Sequence, residues 1–146
     1  MCSRTAAAVL AVATMALTGL PAGASRAGGV AECTNAELVA SYHRSGAAMS
    51  HLYGRIVLTN TSDHACGIRG YGGLSYVGHG DGTQIGAAAV RTPSRLRSLV
   101  VRPGARVVSP VVEISAGPYP RHRCRPAHVD GFRVYLPDET RSQYVP

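Results

Sequence analysis

The sequence contains no lysine, and its positive charge rests on 15 arginines. Without lysine, a phosphate-cradling loop of the glycine-rich kind is excluded, because its glycines must lead into a lysine at a helix start. Acids are scarce as well: eight Asp and Glu serve 146 residues. Asp63, Asp81, Asp130 and Asp138 all fall in expected turns, where they serve the backbone, and Glu113 stands alone on a β-rich run. Paired carboxylates for acid–base catalysis are therefore not expected. No G-x-S-x-G occurs, so a nucleophile elbow is absent too. Beyond the first two dozen residues there is neither a membrane-length apolar run nor a sustained helical period. An all-β chain is what remains.

Residues 1–24 have the form of a secretory leader. Arg4 supplies a positive start, Ala6 to Leu20 is apolar apart from Thr14 and Thr18, and Pro21 ends the run. Ala22-Gly23-Ala24 is a small-x-small cleavage site. The apolar stretch is short for a membrane span, which needs about 18–20 residues. Glu32 before Cys33 argues against lipoprotein processing, so residues 25–32 are expected as a flexible lead-in and 33–146 as one domain. Export places the protein in the medium or the cell envelope.

Four cysteines are present, and Cys2 leaves with the leader. Cys33, Cys66 and Cys124 would then reach an oxidising compartment, where one pair forms and one thiol is left over. Cys33–Cys66 is the expected bridge, pinning the N-terminal segment to a central strand; Cys66–Cys124 is the competing pair. His122, Cys124 and His128 make an H-x-C-x3-H cluster, but zinc sites usually bring four spaced ligands and only three are here. No metal or other cofactor is expected.

The stretch RIVLTNTSDHACGIRGYGGLSY, residues 55–76, organises the chain. Ile56 and Leu58 alternate with Arg55, Val57 and Thr59, the period of a strand with one better-buried face. Asn60-Thr61-Ser62-Asp63 ends it, because such side chains bond their own backbone. Cys66 and Ile68 share a face of the next strand. Before this stretch, Thr34 and Glu37 have capping-box spacing, Leu38 to Tyr42 is a strand or that helical turn, and 45–50 is a loop. A strand runs from His51 to Asn60. After it come strands at 74–77, 83–85 and 99–101, with a glycine-rich hairpin turn at 78–82. The run 105–114 holds Pro110, which cannot donate to a ladder, so the strand is an edge, or is bulged or broken there. Phe132, Val134 and Leu136 alternate with Arg133 and Tyr135, and residues 143–145 begin a last strand. Short strands with turns every 8–12 residues describe an antiparallel β-sandwich.

The series L-T-N-T-S…C-x-I-R-G-Y-x-G at 58–73, D-G-x-Q-I-G at 81–86, R-P-G at 102–104, Y-P…C-R-P at 119–126 and D-G-F-R-V-Y-L-P at 130–137 resembles an actinobacterial exported family, domain of unknown function 4232. The likeness runs from Cys33 to Pro146. It implies an immunoglobulin-like sandwich, export, no established activity, and pairing of Cys33 with Cys66. In the family pattern the cysteine matching Cys124 has a partner shortly after the Tyr-Val-Pro at 144–146. The sequence stops at Pro146, so Cys124 is expected as an unpaired thiol.

The net charge of +7 favours anionic partners without identifying one. In extended chain, Arg121, Arg123 and Arg125 would point the same way and form a cationic comb, joined by His122 and Arg97. Such a comb suits anionic lipid, a cell-wall polymer or an acidic protein; its plain alternative is a solvated arginine-rich surface. Nucleic acid is not expected, since export and the lack of interleaved aromatics both argue against it. The expected function is a non-enzymatic exported module that binds or scaffolds in the envelope or medium. Two other readings are a secreted enzyme inhibitor inserting a rigid 116–126 loop, and a small secreted hydrolase or metal enzyme.

Overall fold

The computed structural model describes residues 29–146. The expected leader at 1–24 and the first part of the expected lead-in lie outside the described residues. Among the described residues, the regular structure is antiparallel β apart from one four-residue helix and one isolated parallel bridge between Glu32 and Gly67.

The N-terminal segment reconciles two alternatives in succession. Glu37 reaches back to the Thr34 backbone N–H and accepts from its hydroxyl, both at 2.7 Å. That closes one turn, with Leu38 N–H donating to Thr34 C=O at 3.1 Å. Strand β1 (Leu38–Ala48) starts there. The lead-in is anchored earlier than expected: Gly67 N–H donates to Ala31 C=O at 2.7 Å, and Cys33 N–H to Gly67 C=O at 2.8 Å.

β1 is longer than the sequence suggested. Residues 45–48, expected as loop, continue the ladder to β2 (His51–Asn60), with an irregularity between Arg44 and Gly46. The hairpin turns on Met49 and Ser50, both in the left-handed region at φ 47° and 67°. Two such residues match the twist of the flanking strands. β7 (Arg106–Ile114) pairs with the other side of β2 and is a sheet edge. Its ladder passes through Pro110, opposite Arg55, in unbroken register. An edge strand needs hydrogen bonds on one side only, which is how it tolerates proline.

β3 (Cys66–Ile68) pairs with β6 (Leu99–Val101). β4 (Gly73–Gly78) lies between β5 (Thr83–Ile85) and β8 (Gly131–Tyr135), and β9 (Ser142–Val145) completes the order β5-β4-β8-β9. α1 (Arg121–Cys124) lies between β7 and β8.

The core follows from strand parity. One cluster gathers Cys33, Leu38, Cys66, Val101 and Leu136; the other gathers Ile56, Phe132, Val134 and Val145, with Leu58 touching both. Phe132, Val134 and Leu136 are all buried, as their alternation predicts. Each large side chain so buried stabilises the fold by roughly 1.5–3 kcal/mol. The Cys33–Cys66 disulfide lies inside the first cluster. Asn60, at the end of β2, is buried: its amide donates to His64 C=O and Val101 C=O at 2.9 and 2.8 Å, and its oxygen accepts from Ser62 N–H at 2.9 Å. Asn60-Thr61-Ser62 is therefore a turn whose Asn60 amide is engaged on both its nitrogen and its oxygen.

One side chain joins two sheets. The Gln143 carboxamide on β9 accepts from Ala40 N–H at 2.8 Å and donates to Leu38 C=O at 2.6 Å. It takes the place of a strand's peptide group along the edge of β1, so that edge is not left unpaired. Nearby, Asn35 N–H donates to Glu139 at 3.0 Å and the Asn35 amide to Arg141 C=O at 2.6 Å.

Candidate functional site

Glu113 is not alone. On β7, parity puts Val107, Ser109, Val111 and Glu113 on one face, where Val107 packs against the first core cluster and Val111 against the second. Tyr42 on β1 and Tyr76 on β4 reach the same point. The Tyr42 hydroxyl donates to Glu113 Oε1 at 2.5 Å, and the Tyr76 hydroxyl makes a very short bond to Oε2. Phe132 lies between the two phenols, with ring centroids 4.7 Å from Tyr42 and 5.1 Å from Tyr76. The Tyr42 ring also covers Gly54 on β2, where a Cβ would overlap it. Burial first, and the facing Glu113 carboxylate second, push both phenols above their ordinary range; Arg44 opposes this weakly. Phenols held protonated are hydrogen-bond donors and poor nucleophiles. The arrangement clamps a carboxylate and ties three strands together. Its one advance signal was the inward parity of an acid on an apolar strand.

The 121–125 segment differs from expectation in a way that matters. It is a helical turn and not extended chain: Cys124 N–H donates to Pro120 C=O at 3.0 Å and Arg125 N–H to Arg121 C=O at 2.8 Å. At 3.6 residues per turn, side chains two apart diverge by about 200°. Arg121 and Arg123 thus project to opposite sides, and Arg125 takes a left-handed backbone at φ 43°. The same-face comb does not form, although all three arginines are exposed. Pro120 favours helix entry, because only the chain after it must turn. Cys124 is an exposed free thiol. Among the described residues, no three His, Cys, Asp or Glu side chains gather at metal-binding distance, so His122, Cys124 and His128 do not converge.

A groove of about 370 Å³ opens between the β4–β5 turn and β9. Val77, Gly80, Gly82, Asp130, Arg133, Ser142, Gln143 and Tyr144 line it. Asp130 holds the turn, accepting from Gly80 N–H at 2.7 Å, with His128 3.4 Å from its other oxygen. Arg133 donates to Gly82 C=O. Tyr144, the cross-strand neighbour of Arg133, donates its hydroxyl to Asp130 C=O at 2.9 Å. Sequence reasoning missed this groove, whose parts come from three separate segments.

Ion pairs among the described residues all involve histidine. His64 stands between Glu37 at 2.6 Å and Asp63 at 2.9 Å. The hydrogen bond to Asp63 first, then that to Glu37, raises its pKa above the ordinary 6.5. Thr34, chiefly, and His64 hold Glu37 below the usual carboxylate value. No described arginine is paired with a carboxylate, which leaves the basic charge facing outward.

No curated protein matches the chain. Residues 33–146 match the family described as Domain of unknown function (DUF4232). The matched span begins at the first cysteine of the disulfide and takes in every strand, both core clusters and the groove. The chain belongs to the DUF4232 family, and the whole β domain described above is the family's domain.

Proposed function

We propose that this protein is an exported, non-enzymatic module that binds an anionic component of the cell envelope or surrounding medium. The domain would be an immunoglobulin-like sandwich, the three-stranded sheet facing the four-stranded one across the Tyr42–Phe132–Tyr76 layer. The observation that carries the reading is the state of the arginines. None described is neutralised by an acid, and the net charge is +7. Unpaired surface charge of one sign raises encounter rates with polyanions. Arg121, Arg123 and Arg125 supply an exposed basic segment of mixed directions, suited to a flexible polymer more than to a flat, fixed array.

The buried Cys33–Cys66 disulfide supports an oxidising, extracytoplasmic setting. A leader over 1–24 would deliver the chain there. The inhibitor reading would use the same 116–126 loop, of which 121–124 is one helical turn. The hydrolase reading gains no nucleophile from Glu113, whose oxygens are both taken by phenols. Fractionation of cells producing the full chain tests the proposal. The expected product starts at Ser25, carries one disulfide and one labelled thiol, and is found in the medium or envelope. Uncut protein retained in the cytoplasm would contradict it.

A further inference from the structure

We infer that the groove between the β4–β5 turn and β9 binds a carboxylated sugar. This deepens the reading of the chain as an extracytoplasmic binding module and rests on it, but it uses a different surface from the 121–125 segment.

Three features of the groove converge on that ligand. The first is a fixed aromatic platform. Tyr144 is well exposed, yet its ring is held: the hydroxyl is tied to Asp130 C=O, and the ring edge lies over Gly131, where a Cβ would come within 3.0 Å of it. An exposed ring held at both ends needs no ordering before a sugar's C–H face stacks on it, so little entropy is lost on binding. The second is a cation with donors to spare. Arg133 uses Nη2 on Gly82 C=O, and no acid pairs with it. The fork is oriented by that one bond, and its other N–H groups remain for a carboxylate. Asp130 does not pair with Arg133: one of its oxygens accepts from Gly80 N–H, and His128 lies 3.4 Å from the other. The third is the lining. Ser142 on the β9 side is exposed and can meet sugar hydroxyls. A volume of about 370 Å³ falls in the range of small-ligand sites and admits a sugar ring with its substituents. A bare inorganic anion would leave the platform uncovered; a neutral sugar would leave the arginine unanswered.

The test is a ¹⁵N NMR titration of the exported chain with an oligogalacturonate, in parallel with its fully methyl-esterified form, which has the same rings and no charge. The acid should perturb Gly80, Gly82, Arg133 and Tyr144 in a saturable way. The ester, and Arg133→Gln with the acid, should each bind roughly tenfold more weakly, the usual consequence of losing one charge-assisted hydrogen-bonded contact. Equal binding of acid and ester, or no groove perturbation at about 10 mM acid, tenfold above a Kd of about 1 mM, would overturn the inference. The ester arm needs no substitution, so it decides the matter even where Arg133→Gln loosens the turn. Binding to an envelope polymer without groove perturbation would sink this inference and leave the proposed function standing; binding to neither would remove both.

Discussion

Tyr76 donates its hydroxyl to Glu113 across 37 residues of sequence, and the bond ties β4 to β7. Tyr42 takes the other oxygen of the same carboxylate, so one acid links three strands. Removing the acid leaves two half-buried phenols without their partner. Glu113→Ala should destabilise the domain by about 1.5–3 kcal/mol, the range for hydrogen bonds to a charged group, read as a lower urea midpoint. Tyr76→Phe should cost less, because Tyr42 still holds the carboxylate. Alkaline difference spectroscopy gives an independent check. Two of seven tyrosines should ionise late, and Glu113→Gln should bring them part of the way back, since burial remains. Because the folded phenols are raised, stability should fall as pH climbs past their ordinary value of 10.0. Two phenols titrating normally in the wild type would refute the clamp.

The disulfide closes a loop with a sequence separation of 33. In the chain-entropy model a loop of that size is worth about 3–4 kcal/mol. Cys33→Ala/Cys66→Ala should lose that amount plus the packing of two buried sulfur atoms, and should lower the melting temperature well beyond any effect of Cys124→Ser. Cys124 is exposed, so its replacement should leave stability unchanged within error. A comparable loss from Cys124→Ser would show that the thiol does structural work.

The His64 contact gives a pH window. His64 is raised, so its contribution is complete below 6.5 and is lost as pH rises through the higher folded value. Glu37 is lowered, so its contribution is present above 4.5 and is lost as pH falls through the lower folded value. The stability difference between wild type and His64→Gln should therefore be largest between pH 4.5 and 6.5 and shrink on either side. Denaturant midpoints of both proteins across that range check it. A difference that keeps growing toward alkaline pH has the wrong sign for the contact.

Gln143 should be intolerant of shortening. Its carboxamide serves Ala40 N–H, Leu38 C=O and Asn35 Oδ1 in a part-buried position. Gln143→Ala leaves those groups unmatched and should cost about 1–3 kcal/mol. Hydrogen exchange should localise the loss, with faster exchange at Ala40. Unchanged protection there would mean that the β1 edge is held by something else.

Much of the strand pattern was legible in the sequence, because alternation writes burial directly into neighbouring residues. His51–Asn60, Thr83–Ile85 and Leu99–Val101 have the bounds that their apolar and turn residues dictate. The end of β1 was not legible. Its residues 45–48 are small or polar, and the hairpin turns on Met49-Ser50, a pair that lacks the Asn-Gly signal for positive φ. The helical turn at 121–124 has no apolar face to mark it, so four consecutive basic and thiol residues looked extended. Glu113 was misjudged for another reason. Its partners lie 71 and 37 residues away, and no local window contains them. The groove is hidden in the same manner, with Gly82, Arg133 and Tyr144 brought together only by the pairing of β4, β8 and β9.

The most direct test of the proposed function is co-sedimentation of the exported chain with purified anionic envelope polymer at about 0.05 M and about 0.5 M salt, between which screening length falls several-fold. The account predicts saturable binding at low salt, loss of most of it at high salt, and a several-fold weaker curve for Arg121/Arg123/Arg125→Ala. No binding at low salt, or binding that neither salt nor the triple substitution changes, would contradict it.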